Sequence, residues 1–177
     1  MNSVEQFEAI VRGHYEPLYR FALSLTRSAW DASDLTQHTF YVWATKGHQL
    51  QDISKVKSWL FTTLHRAFLT ARRSQNRYPH QNLDTMEEIS EQPSAFWSEF
   101  DTSDSSQVLM ALAKVDEVYR APVALFYLND CSYKEICAIL AVPLGTVKSR
   151  IARGISQLRN IFAEDYSCES FVDRGCS

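Results

Sequence analysis

The segment Gly145–Gly154, GTVKSRIARG, carries three cations and no acid in a chain of 177 residues whose formal net charge is −3. No acid occurs from Thr146 to Asn160. This stretch contains four basic residues, which are Lys148, Arg150, Arg153 and Arg159. Because a solvated helix face usually carries both signs of charge, a surplus of one sign favours contact with a polyanion over a merely hydrated surface.

A helix-turn-helix would present these cations to duplex DNA. The sequence SYKE, Ser132–Glu135, has the capping-box pattern that begins a helix, and AVPLG at residues 141–145 then interrupts that helix. In a second helix after the break, Val147 and Ile151 would face the core. The residues left on the outer face, where phosphates and base edges of the major groove could be reached, are Lys148, Ser149, Arg150, Ala152 and Arg153.

A second basic block lies upstream. From Ile53 to Leu83 the chain has six Lys or Arg residues and no acid. On a helix, one flank of this block would combine cations with rings: Lys57, Phe61, His65, Phe68 and Arg72, with Trp59 near the start. Cations beside aromatic rings suit single-stranded DNA, because phosphates are neutralised while unstacked bases meet the rings. The alternative is that Trp59, Phe61 and Phe68 are core residues.

An acidic segment separates the two basic blocks. From Asp84 to Gln107 there are seven acids and no Lys or Arg, and residues 78–104 include two prolines and show no helical period. This pattern predicts a flexible acidic linker, although Phe96, Trp97 and Phe100 could dock on a folded part. Two basic faces flanking one linker suggest two contacts with one polyanion.

Apolar periodicity predicts helices everywhere else. In the first part of the chain, steps of three and four residues indicate helices at about 4–25, 31–46 and 54–77, the first of which could be bent at Gly13 or Pro17. In the second part, short helices are expected near 108–115 and 118–128, followed by the helix-turn-helix. No strand of convincing length is found. The predicted fold class is therefore all-α, with two small helical domains at 1–77 and 106–162, a linker at 78–105 and a tail at 163–177.

Several classes of protein are disfavoured. The N-terminus lacks a signal-peptide pattern, and no stretch approaches 18 consecutive apolar residues, so the expected compartment is the cytoplasm, without membrane insertion. Four cysteines do not form a disulfide framework. Cys131 and Cys137 are expected in the core, whereas Cys168 and Cys176 form either a redox- or metal-sensitive pair or an inert tail. No metal-ligand cluster, phosphate-binding glycine loop or catalytic triad is found, so no cofactor, metal or catalytic residue is predicted, and an enzyme is disfavoured.

The two halves together resemble the sigma-70 family of bacterial RNA polymerase sigma factors, in its extracytoplasmic-function (ECF) group. The resemblance covers roughly residues 5–77 and 106–162. Its most specific part is SYKEI followed by VPLGTVKSRIARG, which looks like the promoter-reading helix-turn-helix of region 4. DASDLTQHTFYVWA is similar to the region 2 helix that docks on the polymerase clamp, and VKSWLFTTLHRAFLTARR to the helix that melts and captures the −10 element.

The resemblance implies a subunit that binds core RNA polymerase and directs it to promoters. Its partners would be the clamp coiled coil of the largest polymerase subunit, promoter DNA and an anti-sigma factor. The implied polymerase-docking residues are Asp31, Asp34, Leu35, Gln37, His38, Phe40 and Tyr41. Those implied at the −10 single strand are Lys55, Lys57, Trp59, Phe61, His65, Arg66, Arg72, Arg73 and Arg77, beside a loop at about 49–56 that would receive a flipped base. Those implied at the −35 duplex are Thr146, Lys148, Ser149, Arg150, Ala152 and Arg153.

The chain departs from the family pattern at two places. His38 stands where members often have Glu, which removes one charge from the docking face. Arg66 stands where many members have Asn, which leaves the −10 preference open. A competing hypothesis is a free-standing helix-turn-helix regulator with a helical sensor half, which predicts a dimer on a palindrome and no need of polymerase. A weakly charged monomer binds duplex poorly by itself, which favours the sigma factor.

Overall fold

The computed structural model describes residues 3–77 and 103–172, with side chains described at 4–75 and 107–164. Within these ranges the chain forms seven α-helices and no strand. The first half holds α1 (Ser3–Thr26), α2 (Ala29–Lys46) and α3 (Val56–Arg77), with short 3-10 turns at Gly47–Gln49 and Ile53–Lys55. The second half holds α4 (Ser103–Lys114), α5 (Glu117–Tyr127), α6 (Tyr133–Leu140) and α7 (Leu144–Val172). The all-α prediction is confirmed.

The first half is a three-helix bundle built on the apolar stripes that the sequence predicts. Leu18, Phe21, Leu60 and Leu64 are fully buried where α1 and α3 meet. The helix α1 is continuous through Pro17, so neither this residue nor Gly13 splits it. Ser28 begins α2, because its side chain accepts a hydrogen bond from the backbone N–H of Asp31 and satisfies one of the unpaired donors of the first turn.

The second half places α6 and α7 as a helix-turn-helix. The predicted capping box is present: the Ser132 hydroxyl accepts the Glu135 N–H at 3.3 Å, and the Glu135 carboxylate accepts the Ser132 N–H at 2.7 Å. The Ser132 hydroxyl also donates to this carboxylate at 2.7 Å, and that bond together with the one from the Ser132 N–H lowers the pKa of Glu135. Ala141 ends α6 in the left-handed conformation, with φ 54°. The helix α5 begins at Glu117, within one residue of the predicted start, and continues through Pro122.

The two halves pack on each other and share one continuous core. Buried residues of α1, α2 and α3 join those of α4 to α7 in a single hydrophobic cluster. Polar contacts also cross the boundary, as described below. The predicted linker falls on residues 78–105, of which 78–102 lie outside the described residues, as do Phe96, Trp97 and Phe100. The helix α7 continues through the first ten residues of the predicted tail, to Val172.

Candidate nucleic-acid and polymerase interfaces

The N-terminal part of α7 exposes the cations that the sequence singles out. Val147 and Ile151 are buried, as predicted. The outer residues are exposed or half-buried: Thr146, Lys148, Ser149, Arg150, Ala152 and Arg153. Arg153 also has a partner within the second half: its guanidinium donates to the Tyr119 hydroxyl at 3.5 Å. The face is therefore open to solvent and basic, which is what phosphate and base contacts in a major groove require.

Close packing against α5 fixes the direction of α7. Gly154 faces α5, and a Cβ built on it would come within 2.4 Å of Val123 Cγ2. A second connection is reciprocal: the Asp116 N–H donates to Gln157 Oε1 at 3.0 Å, and Gln157 Nε2 donates to the Asp116 carboxylate at 2.6 Å. Gly154 is buried against α5, whereas Gln157 lies one helical turn after Arg153 on the same side of α7. Together the two contacts fix how α7 sits on α5.

The predicted strand-binding cations on and before α3 divide into two groups. Lys55, Arg66 and Arg73 are exposed, and Lys55 lies 3.7 Å from the Asp52 carboxylate. Lys57 and Arg72 are only half-exposed and contact the second half: Lys57 Nζ donates to the Asn129 carbonyl at 2.5 Å, and Arg72 forms an ion pair with Glu117. The side chain of Arg77 lies outside the described part of the chain.

The aromatic residues of the same helix are largely core. Phe61 is fully buried against Phe21, and Phe68 is 6% exposed. Trp59 is half-buried and meets Trp43 edge to face at 5.1 Å. His65 lies on this flank as well, and burial lowers its pKa to about 4, so the imidazole is neutral at pH 7. In this arrangement Trp59 is the ring of the predicted set with the most access to a base.

A cleft adjoins the predicted base-receiving loop. It has a volume of about 300 Å³ and is lined by Trp43, Leu50 and Ile53 from the loop side and by Phe7 and Ile10 from α1. The loop is shaped by Asp52, whose carboxylate accepts the Ser54 N–H at 3.0 Å and the Ser54 hydroxyl at 2.6 Å. These bonds lower the pKa of Asp52. Ile53 is 60% exposed at the rim.

The predicted docking residues of α2 lie on two sides of the helix. Asp31, Asp34, Gln37, His38 and Tyr41 are exposed, whereas Leu35 and Phe40 are buried in the core. Phe40 stacks on Tyr15 with ring centroids 6.3 Å apart. The buried pair orients the helix, and the five exposed residues are the ones accessible to a partner.

Sequence reasoning missed Trp30 on this surface. Its side chain is 88% exposed at the start of α2. Trp30, Asp34, Gln37 and Tyr41 recur at steps of four, three and four residues, which places them in one stripe along the helix. The four-residue spacing from Trp30 to Asp34 could have placed Trp30 on the same helix face as the predicted docking residues. A stripe with a ring at each end and an acid between them suits a partner surface that is basic and offers apolar pockets.

Other candidate chemistry is not found in the described residues. No group of three or more His, Cys, Asp or Glu residues within them could hold a metal ion. Cys131 is buried and Cys137 half-buried, both with free thiols, and burial raises the pKa of the Cys131 thiol to about 11. The side chains of Cys168 and Cys176 lie outside the described set. None of the helices described is long and apolar enough to cross a membrane.

Family models match both halves of the chain. Residues 10–78 match Sigma-70 region 2, and residues 105–158 match Sigma-70, region 4. The first match contains α2 and α3 whole, and the second contains α5, α6 and the basic face of α7. The unmatched residues between them are those of the acidic segment.

Individual relatives extend the match across both halves. The ECF RNA polymerase sigma factor SigE of Mycolicibacterium smegmatis is 32% identical over 93% of this chain, which covers 65% of that protein's length. SigM of Bacillus subtilis, also an ECF RNA polymerase sigma factor, is 28% identical over 88% of this chain and 94% of its own. The fold is similar to that of the sigma factor RpoE from Bartonella quintana, solved in complex with the anti-sigma factor NepR. The TM-score is 0.74 at 24% identity, covering 90% of this chain and 98% of that one.

Proposed function

This chain belongs to the sigma-70 family of RNA polymerase sigma factors, in the ECF group, and we propose that it binds core RNA polymerase and directs promoter-specific initiation. One observation carries the proposal. A single chain exposes an acidic and aromatic stripe on α2 and, separately, a basic face on a helix-turn-helix. The first surface suits a protein partner and the second suits duplex DNA. Its task is recruitment and recognition, without an enzymatic step of its own.

The stripe on α2 docks on the clamp coiled coil of the largest polymerase subunit. Asp31 and Asp34 supply the charge, and Trp30 and Tyr41 supply apolar contact at the two ends. His38 adds no negative charge to this face at neutral pH, unlike the Glu that family members often carry. Leu35 and Phe40 act from the core by fixing the direction of the helix.

The −10 element is captured along α3. The exposed cations Lys55, Arg66 and Arg73 follow the backbone of the non-template strand, and Trp59 offers a ring beside the loop at 49–56. Lys57 and Arg72 join them when their contacts with the second half are released. Arg77 continues the same row of charge in the sequence.

The −35 element is read by α7 in the major groove. Lys148, Arg150 and Arg153 provide the positive charge, and Arg is the residue best suited to bidentate contact with guanine. Thr146, Ser149 and Ala152 lie among them, where a hydroxyl or a methyl group can contact phosphate or base. Replacing Lys148 by Ala should weaken duplex binding at every sequence, whereas replacing a base-reading Arg should relax specificity at one position.

An anti-sigma factor is the proposed regulator, acting in the cytoplasm, where the polymerase works. Such a protein accompanies the RpoE structure whose fold this chain resembles. A partner that covers α2 would block docking, and one that keeps the halves together would block promoter contact. The two surfaces give it two independent places to act.

The decisive experiment is transcription in vitro with purified protein, sigma-free core polymerase and fragmented genomic DNA, followed by sequencing of transcript starts. We expect starts preceded by two motifs at fixed spacing. Asp34→Asn should reduce core binding and all starts together, while Lys148→Ala should leave core binding unchanged and reduce starts. No added starts, with tight binding of the free protein to a palindromic duplex, would instead establish the free-standing regulator.

A further inference from the structure

The flank of α3 that carries Lys57 and Arg72 faces the second half. Lys57 Nζ donates to the backbone carbonyl of Asn129, 72 positions away in the chain, and Arg72 pairs with Glu117 in the first turn of α5. Phe68 lies between these contacts in sequence and, with Arg72 and Glu117, lines a cavity of about 230 Å³ at the boundary. Two cations predicted to bind the −10 strand are therefore held by groups of the other half.

The groups that hold these cations resemble a nucleic-acid backbone chemically. A carboxylate is a charged oxygen acceptor, as a phosphate is, and Arg binds both through the same planar set of donors. The Asn129 carbonyl is likewise an oxygen acceptor for an ammonium group. Glu117 and Asn129 thus occupy the sites on Arg72 and Lys57 that strand phosphates would take.

The contacts between the halves are of a kind that can be exchanged. The side chains of Arg72 and Glu117 are 39% and 48% exposed, so water and salt screen their attraction. Arg120 reaches the Leu25 carbonyl of α1 only at 3.4 Å. Within the described residues, the buried Oδ1 of Asn129 has no hydrogen-bond partner, which leaves one polar atom beside the Lys57 contact unsatisfied. The polar contacts at the boundary can therefore be exchanged individually, whereas full separation of the halves would also expose the apolar core that they share.

We propose that the second half competes with single-stranded DNA for Lys57 and Arg72, with Glu117 standing in for a strand phosphate. This inference rests on the proposed function, in which α3 binds the −10 strand. Free protein then binds single strands weakly, because only its open fraction presents all the cations. Linkage makes the effect reciprocal: a bound strand favours separation of the halves, and separation favours strand binding.

The test compares two substitutions that remove one negative charge each from the second half. Glu117→Gln removes the competitor, and Glu164→Gln removes an exposed acid of α7 as the matched control. Binding of a fluorescein-labelled oligodeoxythymidine of about 12 nucleotides is followed by anisotropy at low salt. We expect Glu117→Gln to bind about two- to fivefold more tightly than the control. Equal affinities of the two variants would overturn the proposal.

A charge reversal separates competition from general loss of charge. Arg72→Glu alone should open the boundary and weaken strand binding. Adding Glu117→Arg to it re-forms the ion pair with opposite polarity, so hydrogen exchange at the start of α5 should return to the wild-type rate while strand binding stays weak. Exchange that remains fast in the double variant would show that this ion pair does not hold the halves together.

The two proposals fail in different ways. If wild-type protein gives promoter-specific starts with core polymerase but Glu117→Gln binds the oligonucleotide no better than Glu164→Gln, only the competition is wrong. If wild-type protein neither binds core polymerase nor gives starts, the sigma function itself is wrong, whatever the two variants do.

Discussion

Gly154 of α7 lies so close to Val123 of α5 that a Cβ on the glycine would stand 2.4 Å from the valine Cγ2. No side chain fits there unless Val123 or one of the two helices shifts. The basic face of α7 begins one turn and a half before this contact, so the same approach that packs the two helices also sets the direction of the DNA-reading side chains.

We therefore expect Gly154→Ala to lower the free energy of unfolding by about 1–3 kcal/mol and to weaken duplex binding, because overpacking outweighs the gain in helix propensity. Denaturant titration and duplex binding would measure both effects. Gly13→Ala is the matched control, since no atom lies within 4 Å of its added methyl group. It should stabilise the protein by about 0.5–1 kcal/mol. A stabilising effect at both sites would contradict the packing argument.

Arg120→Met should destabilise the protein by about 2–3 kcal/mol. The guanidinium of Arg120 is buried and donates to the carbonyls of Leu112, Ala113 and Val115 at 3.0, 3.2 and 2.7 Å. Burial, with Arg27 and Arg72 adding repulsion, lowers its pKa to about 10, so it remains charged at pH 7. Met would fill the space but remove the guanidinium donors from these three carbonyls, of which Leu112 would keep the Val115 N–H at 3.1 Å. Arg159→Met, at an exposed position, should change the unfolding free energy by less than about 0.5 kcal/mol in the same denaturant titration.

Stability should fall as pH is lowered from about 6.5 towards 4. Burial holds the pKa of His65 at about 4 in the folded protein, against 6.5 when exposed, so the unfolded chain binds the proton first. The difference corresponds to at most about 3 kcal/mol of unfolding free energy, present above pH 6.5 and lost as pH falls through 4. His14, whose pKa is also lowered, first by burial and then by the charge of Lys57, adds in the same direction. Denaturant titrations at pH 7 and 5 should show the loss, and His65→Gln should reduce it. An unchanged pH dependence in this variant would show that a group other than His65 causes the loss of stability at low pH.

Trp30→Ala should weaken binding to core polymerase about tenfold, because exposed aromatic rings beside a charged centre are typical interface anchors. Tyr127→Ala, which removes a 52% exposed ring from the second half, serves as the comparison. Both variants should unfold like the wild type. The affinity of each labelled protein for core polymerase is measured by titration. Equal affinities of Trp30→Ala and wild type would show that Trp30 does not contribute to docking.

Ala141→Gly should stabilise the protein by about 0.5–1 kcal/mol, since Ala141 ends α6 with φ 54°, where a Cβ is strained and glycine is not. Its N–H donates to the Cys137 carbonyl in either variant, so the turn is retained. Ala138→Gly, in the exposed middle of α6, should have the opposite sign. Thermal unfolding of the two variants provides the comparison.

The sequence alone predicted the elements well where local rules decide them. The capping box at Ser132 and Glu135, the buried pair Val147 and Ile151, and the exposed basic face of α7 all follow from spacing within a few residues. The helix α5 begins at Glu117, one residue before the predicted range, and runs through Pro122, because packing can offset the hydrogen bond that a proline lacks.

The surfaces of α3 could not be predicted in the same way. Phe61 and Phe68 have the periodicity of a core stripe and of a stacking flank alike, and only the contact with the other helices shows them to be buried. Pairing of Lys57 with Asn129 depends on residues 72 positions apart, which no local pattern reveals. Trp30 was missed because the predicted helix began at Asp31, two residues after the observed start of α2 at Ala29.

Arg120 donates mainly within its own half and once across the boundary, which matters for chimeric proteins that combine halves from two relatives. A second half taken from a relative would keep the bonds from its own Arg120 counterpart to the carbonyls at the end of α4. It would, however, face the α1 of a different protein at the Leu25 carbonyl. A first half taken from a relative would likewise present the end of its α1 to an α5 from a different protein. Chimeric proteins joined within the acidic segment should therefore fold each half yet lose the fit between them, unless α1 and α5 are transferred as a pair.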